Sequence, residues 1–389
     1  PSYDPNWVRE PNIGFSQIGY TPAQKKVAVA ELDKHAAPVE TADIIRVSEK
    51  GEETVVFKAE VKPWGVYNHR YNYATIDFSE VREPGLYCIR LGESKTNVFP
   101  VNKDVYQGKW HLSMDVFLPV HMDHMEVNEG YRTWHGRSHM DDALQAPVDY
   151  EQFDGYRQGP VTHTKYKSWE HIPGLAVGGW FDAGDYDIQS RTVLSMTSDL
   201  VSLWDMFQPL RDQTFIDQKT QFVDMHRPDG TPDVIQQIKH GVLNINAQVE
   251  NIGFVAQGIV QGNMYQYHHL GDAVTITDGL VYNPSLDPYE TDGRTSGTRD
   301  DRLVFTGNFS PAGTMSNVAS LASAARVLKP YYPELAERSL KNALMLWDKY
   351  FEGADPANAD NRRMRWFRGD SRISAAVELW KATGEASYK

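Results

Sequence analysis

Cysteine is nearly absent from this chain of 389 residues, which contains a single one, Cys88. One cysteine cannot form an internal disulfide, and it cannot supply a cysteine-rich zinc site. Cys88 lies in the segment GLYCIRL, whose alternation is typical of a strand, so we expect a buried thiol. The cysteine count leaves the compartment open, because exported bacterial proteins and cytosolic proteins both commonly lack disulfides.

Long apolar runs and an excess of positive charge are missing as well. No stretch of about 18 apolar residues exists, so the sequence predicts no membrane-spanning helix. The first residues, PSYDPNWVRE, are polar, and we expect that any signal peptide was removed or never present. Lysine and arginine number 39 against 52 aspartates and glutamates, a formal charge of -13. This balance argues against nucleic acid as the main partner, because binding to phosphates needs a basic surface.

Short β-type segments fill the first quarter of the chain. Turn signals such as KPWG and REPG separate runs of β-branched and aromatic residues. The runs are 27–32, 43–49, 53–61, 73–79, 85–92 and 96–102. Their near-regular spacing predicts an immunoglobulin-type β-sandwich over residues 1–103, in which no motif looks catalytic.

Beyond residue 103 the apolar residues recur with the period of a helix. Six segments are predicted to be helical: 105–125, 192–207, 231–242, 314–329, 333–353 and 371–385. Thr231 is the expected N-cap of the third, with Pro232 at its first helical position. His121 and His124 are expected to be packing or capping residues. Because no strand alternates regularly with these helices, we predict an all-α domain over 104–389.

The segment GGWFDAGDYD, residues 178–187, concentrates glycines, aromatic residues and three aspartates. Its residues alone leave three interpretations open. Asp182 could cap a helix that begins near Tyr186, or two carboxylates three positions apart could bind calcium. A carboxylate walled by Trp180 and Tyr186 could instead deprotonate a water. Asp182 and Asp185 are too close in sequence for the paired carboxylates of an inverting glycosidase, about 6.5–9.5 Å apart, and fit better as two groups that hold one water.

The same segment closely resembles the GGWxDAGD signature of glycoside hydrolase family 9, the inverting endoglucanases and cellobiohydrolases. Residues 13–30 are similar to the opening strands of the immunoglobulin-like domain that precedes many catalytic domains of this family, and 83–91 resemble a later strand. PDVIQQIKHG (232–241) is similar to the family's third-helix motif. Residues 374–388 resemble its recurrent helix that ends in a TGxxxY turn. The resemblance therefore covers essentially the whole chain.

This resemblance implies an immunoglobulin-like β-sandwich (1–103) followed by an (α/α)6 toroid (104–389), of which we expect only the N-terminal half here. It implies inverting hydrolysis of β-1,4-glucosidic bonds in cellulose or a related β-glucan. By position in the motif, Asp185 would be the catalytic base and Asp182 its partner in holding the water. The general acid would be a glutamate beyond Lys389. Such substrates imply export to the periplasm, the cell surface or the medium.

Aromatic side chains are expected contacts with sugar, because aromatic rings pack against the apolar faces of sugars. We expect this role for Trp180, Tyr186, Trp134 and Trp366, and a hydrogen bond to sugar from His135. The stretch 131–143 that holds Trp134 and His135 could equally be structural, and Trp366 could equally pack at the surface.

No cofactor or metal site is expected. Some relatives hold a structural zinc with cysteines and histidines in the region of 131–143, where no cysteine is present here. The DLAGE-like calcium stretch of relatives reads SPAGTM (310–315) in this chain, without the acidic ligands. Calcium is possible but lacks a clear site, and the acidic loop 287–301 is interpreted as solvated.

Three other functions stay open. A relative with this fold could act on other β-linked sugars, such as glucosamine oligomers, from the end of a chain. A non-catalytic carbohydrate-binding protein could have kept the cleft. A structural or adhesion protein would depend on the β-sandwich, and a change at Asp185 would not affect it. In each carbohydrate case the expected partner is a polysaccharide or oligosaccharide, with no nucleic acid, no membrane span and an open oligomeric state.

Overall fold

The computed structural model describes residues 4, 7–67, 69, 71–183, 186–262, 277–355 and 370–389. The chain forms two compact units, Pro1–His111 and Leu112–Lys389. None of the helices in the described ranges is both long enough and apolar enough to cross a membrane.

The first unit is built from antiparallel strands, and each predicted strand segment overlaps one of them. Their bounds are β1 Asn12–Gly14, β2 Val27–Asp33, β3 Thr41–Val47, β4 Glu53–Tyr67, β5 Tyr71–Asp77, β6 Gly85–Leu91, β7 Ser94–Lys95 and β8 Phe99–Val101. They are hydrogen-bonded in the order β1-β2-β5-β4-β3-β6-β7, and β8 pairs with β6.

Strand β4 connects the two halves of this sandwich. Its first half, from Glu53 to Glu60, pairs with β3, and its second half, from Val61 to Tyr67, pairs with β5. Side chains that alternate inward from strands on both sides of β4 form one apolar core, which includes Ala28, Ala30, Ile44, Ala74, Ile76, Tyr87, Ile89, Leu91 and Phe99. The thiol of Cys88 is buried, as the alternation predicted.

Helices of the second unit follow the apolar pattern except at its beginning. Their bounds are α1 Leu118–Val120, α2 Ser190–Phe207, α3 Asp233–Ile252, α4 Pro311–Leu328, α5 Pro333–Tyr350 and α6 Ser371–Thr383. The prediction of a long helix over 105–125 is wrong, because the segment contains only a π-helical turn, Ser113–Phe117, and the short α1. Gly108 has a left-handed backbone (φ 71°), and the chain leaves the helix again at His121, two residues after Pro119.

Helix α3 lies in the interior of the second unit, where 16 of its 20 residues are buried. The prediction of Thr231 as the N-cap is wrong, because Pro232 occupies the cap position and the helix begins at Asp233. The Asp233 carboxylate accepts hydrogen bonds from the backbone N–H groups of Gln213 and Thr214, both at 3.0 Å. Helix α4 packs against α2, α3, α5 and α6.

Short strands accompany these helices, so the second unit is not all-α as the sequence analysis expected. They are β9 Glu126–Glu129, β10 Arg132–His135, β11 Leu144–Gln145, β12 Ile188–Gln189, β13 Thr214–Asp217, β14 Phe222–Met225, β15 Gly258–Val260, β16 Val281–Tyr282, β17 Thr295–Ser296 and β18 Leu303–Phe305. Two four-stranded sheets have the orders β10-β9-β14-β13 and β11-β18-β15-β12, and β16 pairs with β17. The second of the two four-stranded sheets positions the candidate site.

Candidate functional site

Residues 178–187, here called the signature loop, lead into strand β12 and helix α2. Strands β11 and β18 are parallel, and both β18 and β12 are antiparallel to β15, so β11, β18 and β12 run in one direction. The residues just before these three strands therefore lie at the same end of the sheet. This topology brings Asp142, Arg302 and Tyr186 together, although 160 positions separate Asp142 from Arg302.

Of the two aspartates in the DAGD motif, the structure describes Asp182, whereas Asp185 lies outside the described residues, as does Trp366. Asp182 is exposed, and its backbone N–H donates to the carbonyl of Asp187 at 2.9 Å. Helix α2 begins at Ser190 with no side-chain hydrogen bond at its cap, so Asp182 is not a helix cap. Its carboxylate is therefore open to solvent.

The side chains of Trp180 and Tyr186, both within the loop, are buried, and each residue is only 6% exposed. The indole Nε1 of Trp180 donates to Gln237 on α3 at 2.9 Å, and the ring packs edge-on against His240. The ring of Tyr186 packs edge-on against Phe181, with 5.2 Å between centroids. As placed here, both aromatic rings could offer a sugar no more than an edge.

Trp134 and His135 lie on strand β10 beside the loop. One face of the half-buried Trp134 ring is covered by the guanidinium of Arg132, 3.7 Å from the ring centroid, and its Nε1 donates to Glu129. His135 packs edge-on against Phe181. Its Nδ1 lies 2.8 Å from the next carbonyl along the chain and therefore carries the proton. Its Nε2, an acceptor in that tautomer, is buried and has no hydrogen-bond partner among the described residues.

Three backbone carbonyls of the signature loop accept hydrogen bonds from buried side chains. The pairs are Gly178 with His124 Nδ1 at 3.0 Å, Gly179 with His240 Nε2 at 2.6 Å, and Tyr186 with Arg302 Nη1 at 2.7 Å. Tyr186 has a left-handed backbone (φ 59°), a conformation that costs about 1–2 kcal/mol for a residue with a side chain. The contact with Arg302 helps to hold it there.

Helix α3 approaches the loop so closely that glycine is required on both sides. Gly178 has φ 64°, and a Cβ there would lie 2.3 Å from the carbonyl oxygen of His240. A Cβ on Gly241 would lie 2.3 Å from Thr197 Oγ1 and 2.5 Å from the Trp180 ring. The loop is thus fixed against α3 by contact as well as by hydrogen bonds.

Arg302, Asp123, Asp142 and His124, here called the Arg302 cluster, are at most 2% exposed. The guanidinium donates from Nη2 to Asp123 at 2.5 Å and from both Nε and Nη2 to Asp142. The Nε2 of His124 lies 2.9 Å from Asp142 Oδ2, and its Nδ1 faces a carbonyl. The same Nε2 also lies 3.5 Å from Arg302 Nη2. The cluster thus places the Arg302 guanidinium between two buried carboxylates.

The protonation states around the cluster follow from burial and from charge. Burial alone would raise the pKa of Asp142, but Arg302 and His124 outweigh this effect and lower it to about 2. Against the same effect of burial, Arg302 and His124 hold the pKa of Asp123 well below its usual range. Burial lowers the pKa of His240 to about 3, so this ring is neutral.

Asp123, His124 and Asp142 would also form a ligand set for a metal ion, since their ligand atoms lie within 4.8 Å of one another. The guanidinium of Arg302 donates to both of these carboxylates. A cation supplied by the chain itself therefore already offsets part of the negative charge of this set.

The acidic loop 287–301, interpreted as solvated, is exposed only in its first part. Its end turns inward, and the Asp301 side chain is 1% exposed and lies 2.8 Å from His171. Burial raises the pKa of Asp300 to about 7. The expectation is therefore wrong for the residues that lead into Arg302 and β18.

No motif in the sequence predicted a functional role for Arg302 or Asp123, and His124 was expected only to pack or cap. Asp142 appeared there only as part of the polar stretch 131–143. The available signal was a charged residue directly before the apolar run LVF, which becomes β18. A charge next to a buried strand requires a buried partner.

Two protein families match the chain. The family described as "Cellulase N-terminal ig-like domain" matches residues 8–96, and "Glycosyl hydrolase family 9" matches residues 124–389.

Curated relatives and solved structures agree with these matches. Endoglucanase D of Acetivibrio thermocellus is 23% identical over 396 residues, covering 98% of this chain and 53% of the relative. A cellulose 1,4-beta-cellobiosidase of the same organism is 23% identical over 439 residues, covering 100% of this chain and 43% of the relative. The crystal structure of a metagenome-derived glycoside hydrolase family 9 endoglucanase superposes with a TM-score of 0.64 at 20% identity, covering 97% of this chain and 62% of that one. The chain thus spans about half the length of the curated relatives it matches.

Proposed function

The chain belongs to glycosyl hydrolase family 9, as its sequence motifs indicated, and from this membership we propose that the protein hydrolyses β-1,4-glucosidic bonds with inversion at the anomeric carbon. The substrate we propose is cellulose or a related β-glucan, the class named in the relatives' titles. A formal charge of -13 is compatible with a neutral polysaccharide.

In this proposal Asp185 is the catalytic base and Asp182 helps to hold the attacking water. As the base takes a proton, the water attacks the anomeric carbon. The observation that carries the proposal is the anchored signature loop, in which buried side chains fix three backbone carbonyls while Asp182 stays exposed. Groups held in a productive geometry lower the barrier far more than mobile ones do.

Contacts with the sugar are proposed for the residues that border the loop. Trp134 would stack through the face that Arg132 does not cover, and His135 Nε2 would accept a hydrogen bond from a hydroxyl. Trp366 is retained on the basis of the sequence alone. Trp180 and Tyr186 are proposed to form the wall of the site and not a stacking surface, because each is only 6% exposed.

We further propose that helices α2 to α6 belong to an (α/α)6 toroid, of which this chain supplies the N-terminal half. The packing of α4 against four other helices is compatible with such a ring. The general acid would be a glutamate beyond Lys389, on the opposite side of the scissile bond from the base. Export from the cell is proposed because polymeric β-glucans lie outside it.

Cleavage from a chain end is the second candidate, because one relative is named a cellobiosidase. An exo-acting enzyme would release short products of one length from the first minutes of reaction. An endo-acting enzyme would release a mixture and would shorten the polymer early. The product profile on a long β-glucan therefore separates the two.

A proton NMR time course of the full-length protein on a panel of β-glucan oligosaccharides tests the central proposal. We expect the α-anomer to appear first, because inversion converts the β-linkage into an α-hemiacetal. Asp185→Asn should lower kcat by at least about a thousandfold, since it removes the base and thus general base catalysis.

Asp199→Asn is the matched control, because Asp199 is exposed on helix α2 away from the loop. It should leave the rate within about twofold of wild type, as surface changes usually do. First appearance of the β-anomer, or an Asp185→Asn variant as active as the control, would show that the assignment is wrong.

A further inference from the structure

We propose that Arg302 is a positioning residue of this enzyme, a buried cation that holds the backbone next to Asp185 and thereby aligns the water-activating carboxylates. The inference rests on the function proposed above. Arg302 is fully buried and does not reach the exposed side of the loop, so it would act through the backbone rather than on the sugar.

The guanidinium donates from Nη1 to the backbone carbonyl of Tyr186, the residue directly after Asp185 in sequence. The same side chain donates to Asp142 through Nε and to Asp123 through Nη2. Three nitrogens in one rigid plane thus connect three points: two carboxylates behind the loop and one carbonyl within it. Because the guanidinium is rigid and planar, its hydrogen bonds fix these three groups relative to one another. The ammonium of a lysine, on a flexible stem, would not do so.

The other end of the loop depends on the same charges. His124 donates to the carbonyl of Gly178 through Nδ1 and contacts Asp142 through Nε2. The Asp123 carboxylate accepts hydrogen bonds from the hydroxyl of Ser138 and from Arg302 Nη2. The Arg302 cluster therefore holds the first and the ninth residue of the signature loop, and the water-activating pair lies between them in sequence.

Loss of the guanidinium would leave the carboxylates of Asp123 and Asp142 buried without the cation that both contact. A buried charge without its partner is strongly unfavourable, so the cluster would take up protons or water, and the loop carbonyl at Tyr186 would lose its donor. Binding of the sugar would change little because Arg302 does not touch it. The attack of water would suffer, because misplacement by about 1 Å can cost a hundredfold in rate.

The experiment compares kcat and KM of the full-length protein with those of Arg302→Lys and Arg302→Ala. We expect kcat to fall by on the order of a hundredfold in both, with KM close to wild type, the pattern of an interaction that matters only in the transition state. Millimolar guanidinium should restore part of the kcat of Arg302→Ala, whereas sodium chloride at the same concentration should not. Hydrogen exchange should quicken across 178–187.

Arg326→Gln serves as the control, because it removes a bidentate ion pair between α4 and Asp205 on α2 without touching the loop. It should keep the wild-type kcat. If Arg302→Ala does not fold, Arg302→Lys decides the question, since it keeps the charge of the cluster.

A folded Arg302→Lys protein with wild-type kcat would overturn the inference. So would a rise in KM that accounts for the whole loss, or a loss equal to that of the control. An inactive wild-type protein would overturn the proposed function itself, and the inference with it.

Discussion

At the scale of single residues, two buried histidines hold neighbouring carbonyls of the signature loop. His124 lies between the carbonyl of Gly178 and the carboxylate of Asp142. His240 donates to the carbonyl of Gly179 and faces the side-chain amide of Gln218 on its other side. Its neutral form is sufficient there. The partner of each ring nitrogen decides whether that nitrogen donates or accepts.

The neutral His240 predicts a loss of stability in mild acid. Burial lowers its pKa to about 3, so between about pH 6.5 and pH 3 the unfolded chain binds a proton that the folded chain does not. The free energy of unfolding should therefore fall as the pH drops, by about 1.4 kcal/mol per pH unit from this group. Urea denaturation at pH 7 and pH 5 measures the effect.

His240→Gln keeps a donor for Gly179 but cannot titrate, so its pH dependence should be weaker than that of wild type by roughly 2 kcal/mol over this interval. The same substitution at the exposed His35 is the control and should leave the dependence unchanged. Equal slopes for wild type and His240→Gln would contradict the assignment of a neutral buried ring.

At the scale of elements, the contact between helix α3 and the signature loop predicts an unusual cost for a small change. Gly241→Ala would improve helix propensity by about 1 kcal/mol, but its Cβ would lie 2.3 Å from Thr197 Oγ1 and 2.5 Å from the Trp180 ring. We expect a net destabilisation of roughly 1–3 kcal/mol from overpacking, measured by thermal or urea unfolding. Gly14→Ala, where the nearest atom lies 3.6 Å away, should change stability by less than about 0.5 kcal/mol. A stabilised Gly241→Ala variant would mean that the helix and loop can separate at little cost.

Elements with their own periodic pattern could be predicted from the sequence, and those fixed by distant contacts could not. The strands β2 to β6 and the helices α2 to α6 appear where alternation or helical spacing indicated them. The segment 105–125 is equally apolar, yet it unwinds because Asp123 and His124 enter the buried cluster. The cluster itself joins residues up to 179 positions apart, which no local pattern reveals. The domain boundary at residue 103 stays a prediction.

At the scale of the whole molecule, each unit has a core of its own. Ile44 is fully buried in the first and Leu321 in the second. Ile44→Ala should cost roughly 2–5 kcal/mol and should speed hydrogen exchange in residues 1–111 without altering that of residues 112–389. Leu321→Ala should do the reverse and is the reciprocal control. Faster exchange in both units from either change would show that the two unfold together.

The complete burial of the Arg302 cluster also bears on how the protein responds to dissolved salt. At molar salt, dissolved ions screen charges over a distance of about 3 Å. The attraction between charges at the surface, such as Arg326 and Asp205, is therefore weakened. The dissolved ions do not enter a site whose four side chains are at most 2% exposed. The contacts of the Arg302 cluster with the signature loop should therefore persist at molar salt, where ion pairs on the surface of the same unit no longer contribute to its stability.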